Sequence, residues 1–201
     1  MSKSLGNILD PIEIINEYGI DQLRYYLIKE VSLGNDGSIS LENLKNCINN
    51  DLANNYGNLC QRVFSFLNKN CDNQIPNSEN LLDIDKKLIN NLRNDKDNLV
   101  SLIDNQDLNL YIKKVISYSF DANKYFNDSE PWKYKKTDTA RMKTILFTIV
   151  EQIKNISILL NPIIPDSSTK ILNILNLDEK IIRLNDINND NIFDHNKKLL
   201  A

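Results

Sequence analysis

One long hydrophobic stripe constrains the fold of this 201-residue chain more than any other feature. Between residues 41 and 66, apolar side chains recur every three or four positions, the spacing that places them on one face of an α-helix. The stripe consists of Leu41, Leu44, Ile48, Leu52, Tyr56, Leu59, Val63 and Phe66. A helix of about seven turns with one apolar face needs other elements to cover it, so the sequence predicts a packed helical domain.

Further amphipathic segments predict the partners of this helix. They lie at 84–103, 107–125, 138–160 and 166–175, and Asp166 is the expected N-cap of the last one. Polar loops join the segments, an arrangement typical of an antiparallel helical bundle. The sequence therefore predicts an all-α fold.

The two ends of the chain differ from this body. Residues 1–40 read as a connector with a short helix between Asp10 and Gly19, because an Asp-Pro pair favours a helix start and a glycine favours its end. A second helix is expected after Asp21, with Leu23, Leu27 and Val31 on its inward face. We predict a connector at 1–40, a bundle at 41–176 and a polar tail at 177–201.

Composition limits the possible partners. A hydrophobic content of 41% suffices for a buried core. The net charge of −3 argues against a uniformly basic nucleic-acid surface, so any RNA contact must be local. The most apolar stretch, at 145–160, is interrupted by Glu151 and Lys154, and no membrane span or signal segment is predicted.

The three cysteines, Cys47, Cys60 and Cys71, form no Cys-x-x-Cys pair. Their spacing predicts no zinc site and no other metal site in this chain. Dispersed thiols in odd number suit a reducing compartment better than a disulfide framework. We therefore expect a cytoplasmic protein.

The first residues carry the strongest chemical signal. Lys3 lies between Ser2 and Ser4, beside a Gly-Asn turn. A mobile ammonium with neighbouring hydroxyl donors suits a polyphosphate, because phosphoryl and nucleotidyl transfers depend largely on charge neutralisation and positioning. A start methionine followed by an unremarkable Ser-Lys-Ser is the alternative.

Two polar residues lie beside the apolar stripe. At about 100° per residue, Asn58 and Arg62 share one flank when Leu59 points inward. An amide and a guanidinium one turn apart can both address the edges of unstacked bases, as proteins that read single-stranded RNA do. A solvated pair of polar side chains is the alternative reading.

Trp132 is the only tryptophan, and it follows Pro131 at a break in the helical pattern. Lys133, Lys135 and Lys136 come directly after it. A ring beside ammonium groups suits a stacked base whose phosphates are neutralised nearby. Simple packing of the ring, with the lysines as a solvated face, is the alternative.

The opening string MSKSLGNILDP resembles the signature loop of class I aminoacyl-tRNA synthetases. The family's loop reads Lys-Met-Ser-Lys-Ser, and Lys3 stands at its second lysine. The resemblance implies that Lys3, with Ser2 and Ser4, binds the triphosphate of ATP and that Lys3 acts in amino-acid activation. Since the first lysine is missing, we expect this chain to be part of a longer enzyme.

A second likeness is more specific. The segment DLANNYGNLCQR at 51–62, together with Asn123, Tyr125, Pro131 and Trp132, resembles the anticodon-binding bundle of methionyl-tRNA synthetases. Asn161-Pro162 and Pro165 fit its helix-ending prolines, and the likeness extends over residues 1 to about 175.

That resemblance implies roles for individual residues. Asn58 and Arg62 would hydrogen-bond anticodon bases, and Trp132 would stack on the first base of the methionine anticodon CAU. Lys133, Lys135 and Lys136 would contact the tRNA backbone. Residues 1–40 would form the family's stem-contact segment. Asn127 stands where the family more often has an acidic residue.

The resemblance thus implies the C-terminal part of a methionyl-tRNA synthetase (methionine–tRNA ligase) that binds methionine tRNA, and we expect it to act as a monomer. ATP and methionine would be bound only with the catalytic domain. The same region of a leucine, isoleucine, valine or cysteine synthetase is one alternative, and a helical interaction module without nucleotide chemistry is another.

The 201-residue chain alone is expected to be inactive in ATP–pyrophosphate exchange. A lysine loop without a nucleotide-binding fold cannot orient ATP against a carboxylate. The measurement is methionine-dependent exchange compared with a blank preparation. Exchange clearly above the blank would show that this chain holds its own activation site.

Overall fold

The structure is a computed structural model that describes residues 10–34, 39–178, 180–189 and 192–200. The predicted loop residues Ser2, Lys3 and Ser4 lie outside the described residues. In the described part the backbone is helical and contains no β-strand, only an isolated bridge between Gln74 and Lys198. The predicted all-α bundle is confirmed.

The helices follow one another along the whole described chain. They are α1 (Pro11–Tyr18), α2 (Ile20–Glu30), α3 (Leu41–Cys47), α4 (Asn58–Asn70), α5 (Asp83–Asn94), α6 (Lys96–Asp104), α7 (Leu108–Ser129), α8 (Thr139–Leu160) and α9 (Pro165–Ile174). Short 3₁₀ turns lie at Pro131–Tyr134 and Leu184–Asn188. Among the described helices, none has the length and apolar character needed to cross a bilayer.

Helix α8 is the centre of the bundle. It packs against α4, α5, α7 and α9, and every residue from 144 to 160 is buried. Its two fully buried charged side chains are paired, since Glu151 accepts from Arg93 at 2.7 Å and from Lys154 at 2.6 Å. Pairing of this kind is what permits charged groups in a helix that is enclosed on all sides.

Parts of the segment 177–201, which was expected to be a polar tail, pack against the bundle. Ile187, Phe193 and Leu199 are buried. Lys154 donates from Nζ to the carbonyl oxygen of Asp186 at 2.9 Å. The polar composition of this segment concealed these buried apolar side chains and a main-chain partner for a buried lysine.

The connector is clamped to the corner between α8 and α9. Arg24 donates from Nε to the carbonyl of Ile163 at 2.9 Å and from Nη2 to that of Pro162 at 2.8 Å. The buried carboxylate of Asp21 accepts from the backbone N–H of Ser167 at 2.7 Å, in the first turn of α9. The expected cap Asp166 was wrong, because a side chain from α2 supplies the acceptor instead.

Two other helix predictions need correction. Helix α2 buries Leu23 as predicted, and it also buries Tyr25 and Tyr26, whereas Leu27 is 37% exposed, so the predicted inward face was wrong at Leu27. The predicted helix at 84–103 is two helices, α5 and α6, which meet at Asp95. Neither glycine nor proline marks this break, so no local signal predicted it.

A π-helical segment, Ile48–Gly57, joins α3 to α4 without a break, so residues 41–70 form one rod. Its wider turns change which side chains point inward. Asp51, Asn55 and Tyr56 are buried, whereas the predicted stripe residues Ile48 and Leu52 are only half-buried. The stripe counted at the α-helical period is confirmed at Tyr56, but it missed the buried Asp51 and Asn55.

The buried polar residues of the π segment bind other helices. Asp51 accepts from the hydroxyl of Tyr25 at 2.7 Å and from Lys29 at 2.6 Å, both on α2. Burial comes first among the causes that raise the pKa of Tyr25, followed by its hydrogen bond to Asp51. The rod and the connector are thus held together by a buried carboxylate.

Gly57→Ala is expected to destabilise the fold, although the same change inside an ordinary helix stabilises by about 1 kcal/mol. A Cβ at Gly57 would lie 2.9 Å from the backbone carbonyl oxygen of Leu52, so the rod must shift to admit it. Overpacking of this kind costs about 1–3 kcal/mol. Urea unfolding followed by circular dichroism measures the change in free energy of unfolding.

Asn54→Ala is the matched control, because Asn54 is exposed in the same segment. It should leave stability unchanged or raise it slightly. A stabilised Gly57→Ala variant would contradict the close approach of the two backbone turns.

Candidate nucleic-acid interface

The turn after α7 presents the single tryptophan. Glu130 adopts a left-handed backbone with φ of 42°, which ends α7, and the buried Pro131 starts the 3₁₀ turn that carries Trp132. The indole is 40% exposed. Its ring meets the edge of Phe126 with centroids 6.0 Å apart and planes at 84°. Trp132 is therefore held on one side and accessible to solvent on another.

Phe126 connects Trp132 to the long rod. This ring is 2% exposed and makes a second edge contact with Phe66 of α4, with centroids 6.4 Å apart. The guanidinium of Arg62 lies over Phe126, 5.1 Å from the ring centroid. One aromatic cluster is therefore formed by Arg62, Phe66, Phe126 and Trp132. In it the predicted site residues of the rod and of the turn after α7 meet.

Arg62 is oriented by an amide as well as by the ring beneath it. Its Nη2 donates to Oδ1 of Asn127 at 2.7 Å. A guanidinium has five N–H donors, so this bond leaves others for a ligand. Because Asn127 is neutral, it holds the guanidinium without neutralising its charge.

Asn58 lies one turn before Arg62 at the start of α4 and is half-buried. Its side chain makes no hydrogen bond to any described residue. The structure thus supports the predicted shared flank of Asn58 and Arg62. Arg62 presents its remaining donors at the aromatic cluster, and Asn58 lies one helical turn from it.

The predicted lysines occupy different surroundings. Lys135 lies with Nζ 4.8 Å from the ring centroid of Phe66, so it belongs to the aromatic cluster. Lys133 is exposed and forms an ion pair with Glu130 at 2.5 Å. Lys136 is exposed and has no ion pair with a described residue. Exposed pairs are weak in water, so Lys133 can exchange Glu130 for another anion at little cost.

An amide network fixes the π segment of the rod relative to α7. Asn123 donates from Nδ2 to both Oδ1 and the carbonyl oxygen of Asn55, at 2.8 and 3.1 Å. Asn55 donates in turn to Oγ of Ser119 at 2.6 Å. This network lies one turn before Phe126 on α7 and one turn before Asn58 on the rod. It therefore sets the distance between the two helices that supply the site.

Sequence reasoning did not find Phe126, nor the contact between Asn127 and Arg62. Phe126 follows a core tyrosine and has the pattern of an ordinary buried residue. Only the packing of α4 against α7 brings Phe126 into contact with both Arg62 and Trp132. The departure from an acidic residue at Asn127 was the one signal, since it singled out the position that contacts Arg62.

Residues 75–191 match the family described as the anticodon binding domain of methionyl tRNA ligase. The chain belongs to this family. Residues 1–64 match a second family, described as tRNA synthetases class I (M). The methionyl-tRNA synthetase resemblance expected from the sequence is confirmed, and the matches do not favour the sister synthetases.

Relatives among curated proteins agree with this assignment. The methionine–tRNA ligase of Brucella suis is 41% identical over 175 residues, which cover 87% of this chain and 34% of that protein. The methionine–tRNA ligase of Mycobacterium tuberculosis is 38% identical over 179 residues, with the same coverage. The chain spans about a third of the length of these relatives.

A solved structure has the same fold. The M. tuberculosis methionyl-tRNA synthetase in complex with methionyl-adenylate superposes with a TM-score of 0.88 at 36% identity. The match covers 93% of this chain and 38% of that one. The bundle described here is thus the arrangement found in a solved member of the family.

Trp132→Ala is expected to lower the free energy of unfolding by only about 1 kcal/mol, the worth of one aromatic pair. Phe126→Ala should cost about 3–5 kcal/mol, because it empties a buried site. Urea unfolding of both variants gives the comparison. Equal losses would mean that Trp132 is a packing residue and not an accessible platform.

Proposed function

We propose that this chain recognises the CAU anticodon of methionine tRNA as part of a methionine–tRNA ligase. The observation that carries the proposal is the aromatic cluster, in which Arg62 and Trp132 meet at Phe126. An accessible indole and a guanidinium with unused donors are suited to splayed bases. Membership of the anticodon-binding family supports this use of the cluster.

Each residue has a distinct role in the proposal. Trp132 stacks on the first anticodon base, and Asn58 and Arg62 hydrogen-bond base edges. Stacking tolerates any base, since every base has a π-face, so discrimination comes from Asn58 and Arg62. Asn127 keeps Arg62 in place without competing for it as a carboxylate would.

The lysines supply the phosphate contacts. Lys135 lies against the cluster, whereas Lys133 and Lys136 extend from the same turn into solvent. A chain with net charge −3 cannot attract RNA over its whole surface. A few lysines beside the reading residues restrict attraction to the anticodon loop.

The wider activity belongs to the whole ligase. Lys3, with Ser2 and Ser4, would bind the triphosphate while methionine is activated with ATP, and tRNA would then be charged. The free thiols Cys47, Cys60 and Cys71 suit a reducing cytoplasm. A monomer is sufficient for this function, because one chain supplies the whole aromatic cluster.

Arg62→Ala and Lys135→Ala separate base reading from phosphate binding. Arg62→Ala should weaken the binding of cognate methionine tRNA by about 1–3 kcal/mol. It should weaken the binding of an anticodon-altered tRNA far less. Lys135→Ala should weaken the binding of both tRNAs alike. It should also reduce the slope of log affinity against log salt concentration by about one. Filter binding with the two tRNAs at several salt concentrations measures both effects.

Lys113→Ala is the matched control, because Lys113 is exposed on α7 far from the cluster. It should leave affinity and salt slope unchanged. If Arg62→Ala weakens both tRNAs equally, Arg62 does not read bases. If the unaltered protein fails to distinguish the two tRNAs, the anticodon proposal itself is wrong.

A further inference from the structure

A buried carboxylate binds the residue that precedes Phe126 of the aromatic cluster. Asp85, in the first turn of α5, is 0% exposed and accepts four hydrogen bonds. Arg141 donates from both terminal nitrogens, at 2.5 and 2.9 Å. The hydroxyl of Tyr125 donates at 2.5 Å and the backbone N–H of Leu82 at 2.9 Å. Asp85 thereby joins three helices, α5, α7 and α8.

The two side-chain donors flank the turn that carries Trp132. We call residues 130–138 the platform segment. Tyr125 lies one turn before the end of α7, directly before Phe126, and Arg141 lies in the first turn of α8, just beyond the segment. The carboxylate therefore holds the two ends of the platform segment at a fixed separation.

The platform segment also has internal bonds that transmit this constraint. Lys133 N–H donates to the carbonyl of Glu130 at 2.9 Å, and Asp138 N–H donates to that of Tyr134 at 3.0 Å. The carboxylate of Asp138 accepts from the backbone N–H of Arg141 at 2.9 Å. A short segment closed at both ends in this way has little freedom of its own, so its anchors decide where it lies.

We propose that Asp85 is a positioning residue for the anticodon site, which sets the location of Phe126 and Trp132 before RNA arrives. This inference rests on the proposed function and deepens it. Asp85 is enclosed by protein and contacts no ligand itself. It acts through Tyr125 and Arg141, whose positions fix the platform segment.

The chemistry of this group suits a fixed scaffold. A bidentate pair between arginine and a carboxylate specifies geometry more strongly than a single contact does. Burial by itself would raise the pKa of Asp85, but the hydrogen bonds from Arg141, Tyr125 and Leu82 outweigh it and hold that pKa below its ordinary value. Asp85 therefore stays ionised at neutral pH, and its ion pair with Arg141 is kept.

A second tyrosine on α7 provides a matched control. Tyr118 lies two turns before Tyr125 and donates from its hydroxyl to Asp95 at 2.5 Å. Lys114 pairs with the same carboxylate at 2.7 Å. Both sites therefore combine a buried tyrosine, an aspartate and a cation, but Asp95 lies at the junction of α5 and α6 and has no bond to either end of the platform segment.

The test compares Tyr125→Phe with Tyr118→Phe in the 201-residue chain. Each removes one hydroxyl and keeps the ring, so both variants should fold, as circular dichroism would verify. Because Trp132 is the only tryptophan, its fluorescence can be excited selectively. Acrylamide quenching without RNA reports its exposure and mobility.

Tyr125→Phe should raise the quenching constant of Trp132 and increase the Kd for methionine tRNA about threefold to tenfold. Tyr118→Phe should leave both at the wild-type value. Arg141→Lys, which keeps the charge but loses the bidentate pair, should shift quenching in the same direction as Tyr125→Phe.

Unchanged quenching in Tyr125→Phe and Arg141→Lys would overturn the inference. An equal change in Tyr118→Phe would also overturn it, because general loosening of α7 would then be the cause. If the wild-type chain does not discriminate between cognate and anticodon-altered tRNA, the proposed function fails. The quenching comparison still decides whether Asp85 positions Trp132.

Discussion

The burial of α8 on every side is the constraint on which the rest of the structure depends. A helix enclosed by protein needs neighbours on all faces and a partner for each charge, and α8 carries Glu151 and Lys154 inside the bundle. Removing one partner from such a group costs about 3–5 kcal/mol. The pairing therefore brings distant chain segments into the core. Arg93 of α5 is fixed by Glu151, and the main chain near Asp186 is fixed by Lys154.

Much of this architecture follows from local pattern, and the exceptions have a common physical origin. The apolar periods predict the bundle, and Leu44, Leu59 and Val63 are buried as their spacing requires. The errors arise where a partner remote in sequence decides local structure. Asp21 caps a helix 146 residues away, as the separation of its bond shows. No window of neighbouring residues contains such information, so propensity alone cannot supply it.

The candidate site shows the same division. Arg62 and Trp132 could each be identified from the sequence. Arg62 places a guanidinium beside an apolar stripe, and Trp132 is a single tryptophan among lysines. Their meeting at Phe126 was not identifiable, because a buried phenylalanine resembles any other core residue. The side chains that position Arg62 and Trp132 are thus ordinary core residues, which the sequence does not distinguish from others. Such sites are assembled by packing, and their supporting residues become visible only in three dimensions.

The π segment gives the rod a property that a uniform helix lacks. Each widened turn holds one residue more than an α-helical turn, so the segment behaves as though extra residues had been inserted without breaking the helix. If the widened turns are kept, loss of a single residue between 48 and 57 would leave α4 helical but turn its faces by one residue's rotation. Arg62 would then leave the ring of Phe126 while the core residues of α3 kept their places. Chain length in this stretch, and not only side-chain identity, therefore determines whether Arg62 meets the ring of Phe126.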